Sequence, residues 1–358
     1  MNLNIETKND TADQKETGLN FGQSLMSLSE REIYDIVNLN VIIQLISLYG
    51  IISNIITIAV FCKQGFHTTV NISLTGLAVS DLSSLLVTQW YIVCFNPYFV
   101  NSGIPMLPAE VQHLTAGVPH LCFSRITGWI TTYITAERCL SIYAPLQVKL
   151  IITPRKSAVI ISFIYVITIM TLAPEYLTLY IGWKFEMGRN ITLLGLIHTA
   201  GTSDINGLSF LLYAFHMLVA FSAVVTLTST LVIKLKQNTK WRQSLSNAVE
   251  SSHISTRDKK SVTMAIVIAT VMILLFTPSV FITVTSFIVP DFNIDGRFSN
   301  LFLVVWSFGL MFEVINSSLC LVLYYVMSSK FRKTFHHLFP VCRCLENRFG
   351  TCQTNKIH

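Results

Sequence analysis

Two adjacent residues of opposite charge, Glu137 and Arg138, directly follow the uncharged stretch "GWITTYITA". A second acid, Asp258, precedes another apolar segment far along the chain. An arginine that can pair with either acid has two arrangements of similar energy, and a conformational switch is built from such a bistable element. The alternative is an arginine whose long side chain reaches from an apolar segment to a polar boundary and has no switching role.

Asp81 and Asn54 are polar residues in the middle of two other apolar segments, "LTGLAVSDLSSLL" and "YGIISNIITIAV". Burying a carboxylate in a bilayer costs on the order of 2.5–3.5 kcal/mol unless a partner compensates it. Asn54 is the expected partner of Asp81. The two residues therefore form either a structural polar cluster between helices or a cation or proton site that is coupled to a conformational change.

Arg125 and Glu313 also lie within long apolar segments. Arginine keeps its charge at any ordinary pH, so in an apolar environment its guanidinium must be neutralised. One hypothesis is an Arg125–Glu313 ion pair, or separate hydrogen-bonded side chains, that only stabilises the structure. The other is a polar floor for a small ligand, in which the fork of Arg125 holds a carboxylate.

The elements that position these residues are seven long apolar segments. Only 12% of the residues are charged, about half the usual share, and several charge-free windows exceed the roughly 20 residues that cross a bilayer as a helix. We therefore expect an all-α membrane protein, a seven-transmembrane helix bundle with a short amphipathic eighth helix. The predicted spans are about 37–62, 70–94, 114–140, 157–181, 207–235, 261–289 and 299–327.

Lysine and arginine are distributed asymmetrically between the segments that connect the spans. With residues 1–36 outside, the inner segments carry 17 basic residues and the outer segments carry six, which is the bias of a protein with an extracellular N-terminal tail. The amphipathic helix and tail at 329–358 are then cytoplasmic, and the plasma membrane is the expected location. The net charge of +6 faces anionic lipid and does not indicate a nucleic-acid partner.

Several short motifs occur together and in a fixed order. They are "LAVSDL" with Asp81, "ERC" with Glu137 and Arg138, "APL" after it, "LLFTPSV" with Pro278, and "YYVMSSKFRKTF" at the end of the seventh span. From about residue 37 to 344 the chain thereby resembles the rhodopsin-like (class A) G-protein-coupled receptors. Within that family it is most similar to divergent invertebrate chemosensory receptors, especially molluscan ones, and neuropeptide receptors are the closest rival.

The resemblance implies roles for individual residues. The implied activation switch comprises Glu137, Arg138, Asp258, Tyr324, Phe276 and Pro278. The residues of a sodium-site-like cluster would be Asp81, Asn54 and Thr127. A ligand pocket would be lined by His120, Ser124, Arg125, His216 and Glu313.

The chain departs from the family's pattern at positions that matter for activation. Phe276 stands where the family usually has a tryptophan, and Cys320 and Leu321 replace the Asn-Pro of its seventh-helix motif. The loss of a polar ligand at Cys320 predicts weak sodium binding. No cysteine lies between residues 140 and 319, so the family's usual disulfide between the third helix and the second outer loop cannot form.

Two kinds of covalent modification are predicted. Asn9 and Asn190 lie in N-x-S/T sequons on the outer side, where glycosylation occurs. Cys342 and Cys344 follow the amphipathic segment and are candidates for palmitoylation. A metal site at these two cysteines would need further ligands, and none is predicted.

The favoured function is a receptor that binds an extracellular small molecule or peptide and activates a heterotrimeric G protein. The expected partners are this ligand, the G protein, arrestin and the lipid bilayer, with no cofactor. A proton- or ion-coupled transporter is the alternative from another class, although paired broken helices and repeat symmetry are not visible in the sequence. Motifs of hydrolases and metalloproteases are absent from the sequence, so no enzymatic activity is predicted.

Overall fold

The computed structural model describes residues 26–187, 190–199, 202–245, 256–294 and 296–340. Asn9, Cys342 and Cys344 lie outside these stretches, and of Asp258 only the backbone is described. The predictions that concern these four residues therefore stay predictions.

Most of the described chain is helical. Its long helices, in chain order, are α1 (Gln44–Gln64), α2 (Thr69–Phe95), α3 (Val118–Tyr143), α4 (Pro154–Met170), α5 (Thr202–Leu245), α6 (Thr256–Ile288) and α7 (Ser299–Ser318), followed by α8 (Ser329–Leu338). Shorter helical pieces are Leu28–Asp35, Ile36–Ile43, Pro97–Val100, Pro108–Gln112, His113–Gly117, Pro145–Ile151, Ala173–Thr178 and Cys320–Met327. Between α4 and α5, the strands β1 (Leu179–Glu186) and β2 (Ile191–His198) form an antiparallel hairpin.

Six of the described helical stretches are long and apolar enough to cross a membrane. They are Ser29–Gln64, Thr69–Phe95, Pro154–Thr178, Leu208–Gln237, Lys260–Ile288 and Ser299–Met327. The helix α3 is less apolar because it carries Arg125, Glu137 and Arg138. Its 26 residues still give a length of about 39 Å, more than the roughly 30 Å of a bilayer core. Each of the seven predicted spans overlaps one long helix.

Hydroxyl side chains cap the first turns of three helices. Thr68 accepts a hydrogen bond from a backbone N–H of α2 at 3.3 Å, and Thr153 does the same for α4 at 3.4 Å. Ser328 accepts from a backbone N–H of α8 at 3.2 Å. Each cap satisfies one of the N–H groups that a helix start leaves without a partner, so these residues fix where the helices begin.

Two irregularities shape α6 and α7. Pro278 lies inside α6 and has no N–H, so the carbonyl four residues earlier loses its helical hydrogen bond. After α7 ends at Ser318, the N–H of Leu319 donates to the carbonyl of Asn316 at 3.3 Å, and the helix resumes at Cys320. The seventh helix is therefore interrupted beside Cys320, although residues 299–339 contain no proline.

Three aromatic rings fasten α8 to the bundle. The ring centres of Phe61 and Tyr324 lie 5.4 Å apart, those of Phe61 and Phe331 lie 5.4 Å apart, and those of Tyr324 and Phe331 lie 5.8 Å apart. Phe335 and Leu338 continue the apolar side of α8 against the same core. We call this end of the bundle the tail end, and the end that carries β1 and β2 the hairpin end.

The hairpin is paired with the chain segment that precedes α3. The N–H of Leu107 donates to the carbonyl of Leu194 at 2.8 Å, and the N–H of Leu194 donates to the carbonyl of Pro105 at 2.9 Å. These two backbone bonds extend the hairpin by a short parallel bridge between Met106 and Leu194. The hairpin is thereby attached to the hairpin end of α3.

Glu110 adds a side-chain attachment at the same place. One of its carboxylate oxygens pairs with Lys184 Nζ at 2.7 Å, and the other accepts the N–H of Leu196 at 2.8 Å.

None of the described cysteines forms a disulfide. They are Cys62, Cys94, Cys122, Cys139 and Cys320. Hydrogen bonds and an ion pair thus connect the hairpin to the segment that leads into α3, near the place where the resembled family has a disulfide.

We expect Glu110→Ala to lower the free energy of unfolding by about 1–2 kcal/mol, because a partly exposed ion pair and one charged hydrogen bond are lost. Thermal unfolding of the purified protein measures this change. Glu186→Ala is the matched control, since it removes a carboxylate from β1 for which no ion pair is described. Dithiothreitol should leave the unfolding temperature of the parent unchanged. A Glu110→Ala variant as stable as the control would mean that the backbone pairing alone holds the hairpin.

Candidate functional site

Buried polar side chains lie on facing sides of α2, α3 and α7. On α2 they are Asp81, Ser84 and Thr88; on α3, His120, Ser124 and Thr127; and on α7 and the turn after it, Glu313, Ser317 and Cys320. Within each set the residues are three, four or seven positions apart, which places them on one face of a helix. These side chains form two groups. The Asp81 cluster consists of Asp81, Thr127, Ser317 and Cys320. The Glu313 cluster consists of Glu313, His120, Ser124, Ser84 and Thr88.

In the Asp81 cluster three donors surround one buried carboxylate. Thr127 Oγ1 donates to Asp81 Oδ1 at 2.8 Å, and Ser317 Oγ donates to the same oxygen at 3.1 Å. Cys320 Sγ lies 3.2 Å from Oδ2. The carboxylate and hydroxyl oxygens are ligands that hard cations take, whereas a thiol is not.

Asn54 is not the direct partner of Asp81 that the sequence predicted. Its Nδ2 donates to the carbonyl of Gly50 at 2.9 Å and to the carbonyl of Ser317 at 2.8 Å. The amide therefore joins α1 to the backbone of α7, and it reaches Asp81 only through Ser317. The sequence identified the right neighbourhood but not the contact.

The Glu313 cluster joins all three helices. Ser124 Oγ donates to Glu313 Oε2 at 2.5 Å, and His120 Nε2 lies 3.5 Å from the same oxygen. The other ring nitrogen, His120 Nδ1, lies 3.0 Å from Ser84 Oγ and 3.1 Å from Thr88 Oγ1. The carboxylate of α7 is thus linked through one histidine to two hydroxyls of α2.

Arg125 does not pair with Glu313. None of the ion pairs among the described side chains includes Arg125. Its NH2 group donates to the hydroxyl of Tyr213 on α5, and its Cζ lies 4.2 Å from the centre of the Tyr213 ring. The buried Nε finds no acceptor among the described residues. The guanidinium is therefore in contact with an aromatic ring and a hydroxyl, and it forms no ion pair with a described carboxylate.

His216 is turned away from the Glu313 cluster. Its Nδ1 accepts a hydrogen bond from Trp129 Nε1 at 3.1 Å, and the two ring centres lie 6.0 Å apart. The half-buried histidine therefore connects α5 to α3. The sequence grouped His216 with the ligand pocket, and the structure does not bring it into contact with Glu313.

Two small cavities adjoin these side chains. One is lined by Ser124, Arg125 and Phe276, among others, and a second is lined by His120, Glu313 and residues of α6 and α7. Each has a volume of about 10 Å³, room for about one water molecule. A larger ligand would therefore require side chains or helices at the hairpin end to move apart.

Near the tail end, Glu137 and Arg138 form an ion pair. Arg138 NH2 lies 3.0 Å from Glu137 Oε1, and 13% of the arginine side chain and 6% of the glutamate side chain are exposed. Thr69 Oγ1 of α2 donates to the same glutamate oxygen. A small cavity beside the pair is lined by Ser261 of α6.

The predicted glycosylation site Asn190 lies at the other end of the bundle. It is exposed at the hairpin turn, with a φ of 51°.

Sequence reasoning missed several residues that contact the candidate site residues, among them Thr69, Ser84, Thr88, Tyr213 and Ser317. Helical spacing was the available signal for four of these, because Ser84 and Thr88 repeat the face of Asp81, Ser317 that of Glu313, and Tyr213 that of His216. Thr69 shares a face with none of the candidate residues on α2, so no comparable signal connects it to Glu137.

Comparison with known proteins identifies the family. A model described as "Serpentine type 7TM GPCR chemoreceptor Srw" matches residues 39–342. The chain belongs to this Srw family of G-protein-coupled receptors. It is also 26% identical to Neuromedin-U receptor 2 of Mus musculus over 322 residues, 85% of this chain and 76% of that receptor. With Neuromedin-U receptor 2 of Rattus norvegicus it shares 26% identity over 324 residues, 84% of this chain and 74% of the relative.

The family confirms the receptor that the motifs indicated. The family is one of seven-transmembrane receptors, and this chain is a multi-pass membrane protein. The helix α3 is less apolar than the six stretches named above but is long enough to be a seventh span. The family is one of G-protein-coupled chemoreceptors.

A double-mutant cycle distinguishes an interaction of Glu313 with His120 from one with Arg125 in this Srw receptor. We expect the coupling energy between His120→Ala and Glu313→Ala to exceed that between Arg125→Ala and Glu313→Ala, because only the first pair is in contact. Removing His120 alone should cost up to about 3–5 kcal/mol, since it leaves a buried carboxylate with one partner fewer. Thermal unfolding of the solubilised receptor gives all the values. The opposite order of coupling energies would mean that Arg125 neutralises Glu313.

Proposed function

We propose that this Srw receptor lies in the plasma membrane with the hairpin end outside, and that it is a chemosensory receptor for a small ligand that carries a carboxylate. The asymmetric distribution of lysine and arginine supports this orientation. The observation that carries the ligand class is Arg125, a buried cation that forms no ion pair with a described carboxylate and whose Nε has no described acceptor.

The charge balance of the site favours an anion. Glu313 already accepts a hydrogen bond from Ser124 and lies beside His120, so its charge is engaged. Arg125 has only the hydroxyl and ring of Tyr213, and its Nε is free of any described acceptor. A carboxylate can accept two parallel hydrogen bonds from Nε and a terminal nitrogen of a guanidinium. A ligand anion would therefore neutralise the buried charge and use the donor that lacks an acceptor.

A neuropeptide receptor of the same fold is the second candidate. The likeness to two receptors named for neuromedin-U favours it. A peptide would need a wider opening at the hairpin end than the cavities of about 10 Å³ beside Arg125 and Glu313. A small acid fits with less rearrangement, and for that reason it is preferred.

For signal transmission we infer that ligand binding displaces α3 and α6 and releases Arg138 from Glu137, so that a G protein, and later arrestin, can bind at the tail end. Phe276 supports this route because it lines the cavity beside Arg125. Pro278 lies two residues further along the same helix, where a missing hydrogen bond makes bending easier. Asp258 and Tyr324 complete the inferred switch.

The Asp81 cluster is inferred to be a weak sodium site. Asp81, Thr127 and Ser317 offer oxygen ligands within one cluster, and Asn54 orients the backbone of Ser317. Cys320 places a thiol beside the carboxylate, and sulfur is a poor ligand for a hard cation. Ligand affinity should therefore depend little on sodium.

The remaining inferences concern the surface of the receptor. Asn190 is exposed at the hairpin turn, which suits glycosylation of an outer loop, and Asn9 is a second candidate site. The helix α8 packs its apolar side on the bundle and exposes lysines on the other side. This pattern is that of an amphipathic helix lying at the inner leaflet. Cys342 and Cys344 would then lie close enough to the membrane for palmitoylation.

The ligand class is tested in reporter cells that express the receptor. Carboxylic acids and amino acids should evoke a response that their methyl esters do not, because esterification removes the anion that Arg125 binds. Arg125→Gln should abolish the response or shift it by at least about 100-fold, given that a charged hydrogen bond contributes roughly 1.5–3 kcal/mol and two are lost. His216→Phe is the control and should respond nearly as the parent does. Equal potency of acid and ester would contradict the proposal.

The switch is tested in the same cells with surface labelling. Arg138→Ala should reach the surface and fail to signal, whereas Glu137→Gln and Asp258→Ala should raise basal signalling because each weakens a partner of Arg138. Thr69→Val keeps the shape of the side chain, removes the hydrogen bond to Glu137, and should raise basal signalling to a smaller extent. Unchanged basal and evoked signalling in all four variants would favour an arginine with no switching role.

A further inference from the structure

The largest of the described cavities lies at the tail end, away from Arg125 and Glu313. Its volume is about 610 Å³, within the range of sites that bind small molecules. Residues of α1, α2, α6, α8 and the helical turn after α7 line it. Neither the receptor's ligand site nor its ion pair of Glu137 and Arg138 uses this space.

The cavity has an apolar inner wall and a basic rim. Phe61, Leu74 and Tyr324 are buried and form part of the wall. Lys260 of α6 and Lys330 of α8 line the same cavity and are exposed. Since the lysines are exposed and the three apolar side chains are buried, the positive charge lies at the opening and the apolar surface lies deeper.

A donor without an acceptor lies in the same lining. Nε2 of Gln64 is shielded from solvent and has no hydrogen-bond partner among the described residues. A buried amide donor destabilises the structure when nothing accepts its hydrogen bond. An oxygen of a bound anion would satisfy it.

We propose that this cavity binds a single-chain anionic lipid, with its acidic head group between Lys260 and Lys330 and its acyl chain against Phe61 and Leu74. The chemistry required is an anion joined to an apolar chain, which matches the basic rim and the apolar wall. The inner leaflet is the source of this lipid if the tail end is cytoplasmic, and to that extent the inference rests on the proposed orientation. Ser261 and Met264 line both this cavity and the smaller one beside Glu137 and Arg138.

Because Ser261 and Met264 line both cavities, a lipid bound in the larger one would influence the position of α6 beside Glu137 and Arg138. A bound lipid would contact α6 on one side and α8 on the other. A ligand that fits one arrangement of these helices better than another shifts the population toward that arrangement. The lipid would favour the arrangement described here, in which Arg138 remains paired with Glu137.

The test measures lipid binding to the purified full-length receptor in phosphatidylcholine nanodiscs, without agonist or G protein. Lysophosphatidic acid and lysophosphatidylcholine of the same chain length separate the contribution of the anionic head, and glycerol phosphate shows whether the chain is needed. Lysophosphatidic acid should bind more tightly than both. Because binding is measured directly, a failure of the ligand-response experiments would not affect this result.

The double variant and its control each remove two positive charges. We expect Lys260→Gln and Lys330→Gln each to weaken binding of lysophosphatidic acid about five-fold, and the double variant to weaken it about 25-fold, from roughly one kcal/mol for each lysine near an anionic lipid. Lys63→Gln/Lys333→Gln is the control, because these exposed lysines lie on α1 and α8 and do not line the cavity. Ser329→Trp tests the cavity without a change of charge, since the indole would fill the space beside Lys330.

The outcomes separate a built site from lipid that merely surrounds the receptor. Weaker binding in the double variant and in Ser329→Trp, with the control unchanged, would support the site. Equal losses in the double variant and its control would overturn it and indicate non-specific attraction to the basic surface. Equal affinity for lysophosphatidic acid and glycerol phosphate would overturn the role of the apolar wall. Thermal unfolding of each variant confirms that the protein compared is folded.

Discussion

A charged group cannot be left without partners inside an apolar helix bundle, and this constraint determines how α2, α3 and α7 face one another. Asp81 receives donors from α3, from α7 and from the turn after it. Glu313 on α7 is reached by two side chains of α3, and Glu137 on α3 by a hydroxyl of α2. Rotating any of these helices by one residue, about 100°, would remove such donors and leave a buried charge without them. The polar clusters therefore specify the register of the bundle while the apolar residues supply its core.

Two of the chain's departures from the receptor family's pattern are accommodated by weaker interactions at the same places. Where the class A pattern has a disulfide, Glu110 joins the hairpin to the segment that leads into α3, through Lys184 and a backbone N–H. Where the family has Asn-Pro, the helix is still interrupted at Leu319, and Cys320 still faces Asp81. In both cases the elements remain connected, without a disulfide among the described residues at the hairpin and with a thiol beside Asp81 in place of a better cation ligand. This is why the fold could be identified from a sequence whose motifs are altered.

The long helices and the ion pair of Glu137 and Arg138 could be predicted from the sequence because each depends on local information. Charge-free windows predict a membrane helix regardless of its neighbours, and Glu137 and Arg138 are adjacent in the chain. The contacts of Asn54 and Arg125 could not be predicted in the same way. A helical repeat shows which residues share a face, but the depth and crossing angle of the neighbouring helix decide what meets that face. Thus Asn54 meets a backbone carbonyl of Ser317 and Arg125 meets Tyr213, although a carboxylate seemed the better partner for each.

The helix α3 carries both Arg125, the proposed ligand-binding residue, and the ion pair of Glu137 and Arg138, so it is the element through which we expect one end of the receptor to affect the other. Arg125 and Arg138 are 13 positions apart, about 20 Å along a helix. Between them, Thr131 and Thr135 bond to the carbonyls four residues earlier, at 2.9 and 2.8 Å, a pattern that favours slight bending of a helix. Spatial continuity alone does not establish coupling, which requires an element with two states that both ends bias. Arg138 is suited to be that element, because its partner Glu137 also accepts a hydrogen bond from Thr69 of α2. A movement of α3 relative to α2 would break the bond from Thr69 and leave the Glu137 carboxylate, and Arg138 with it, free to rearrange.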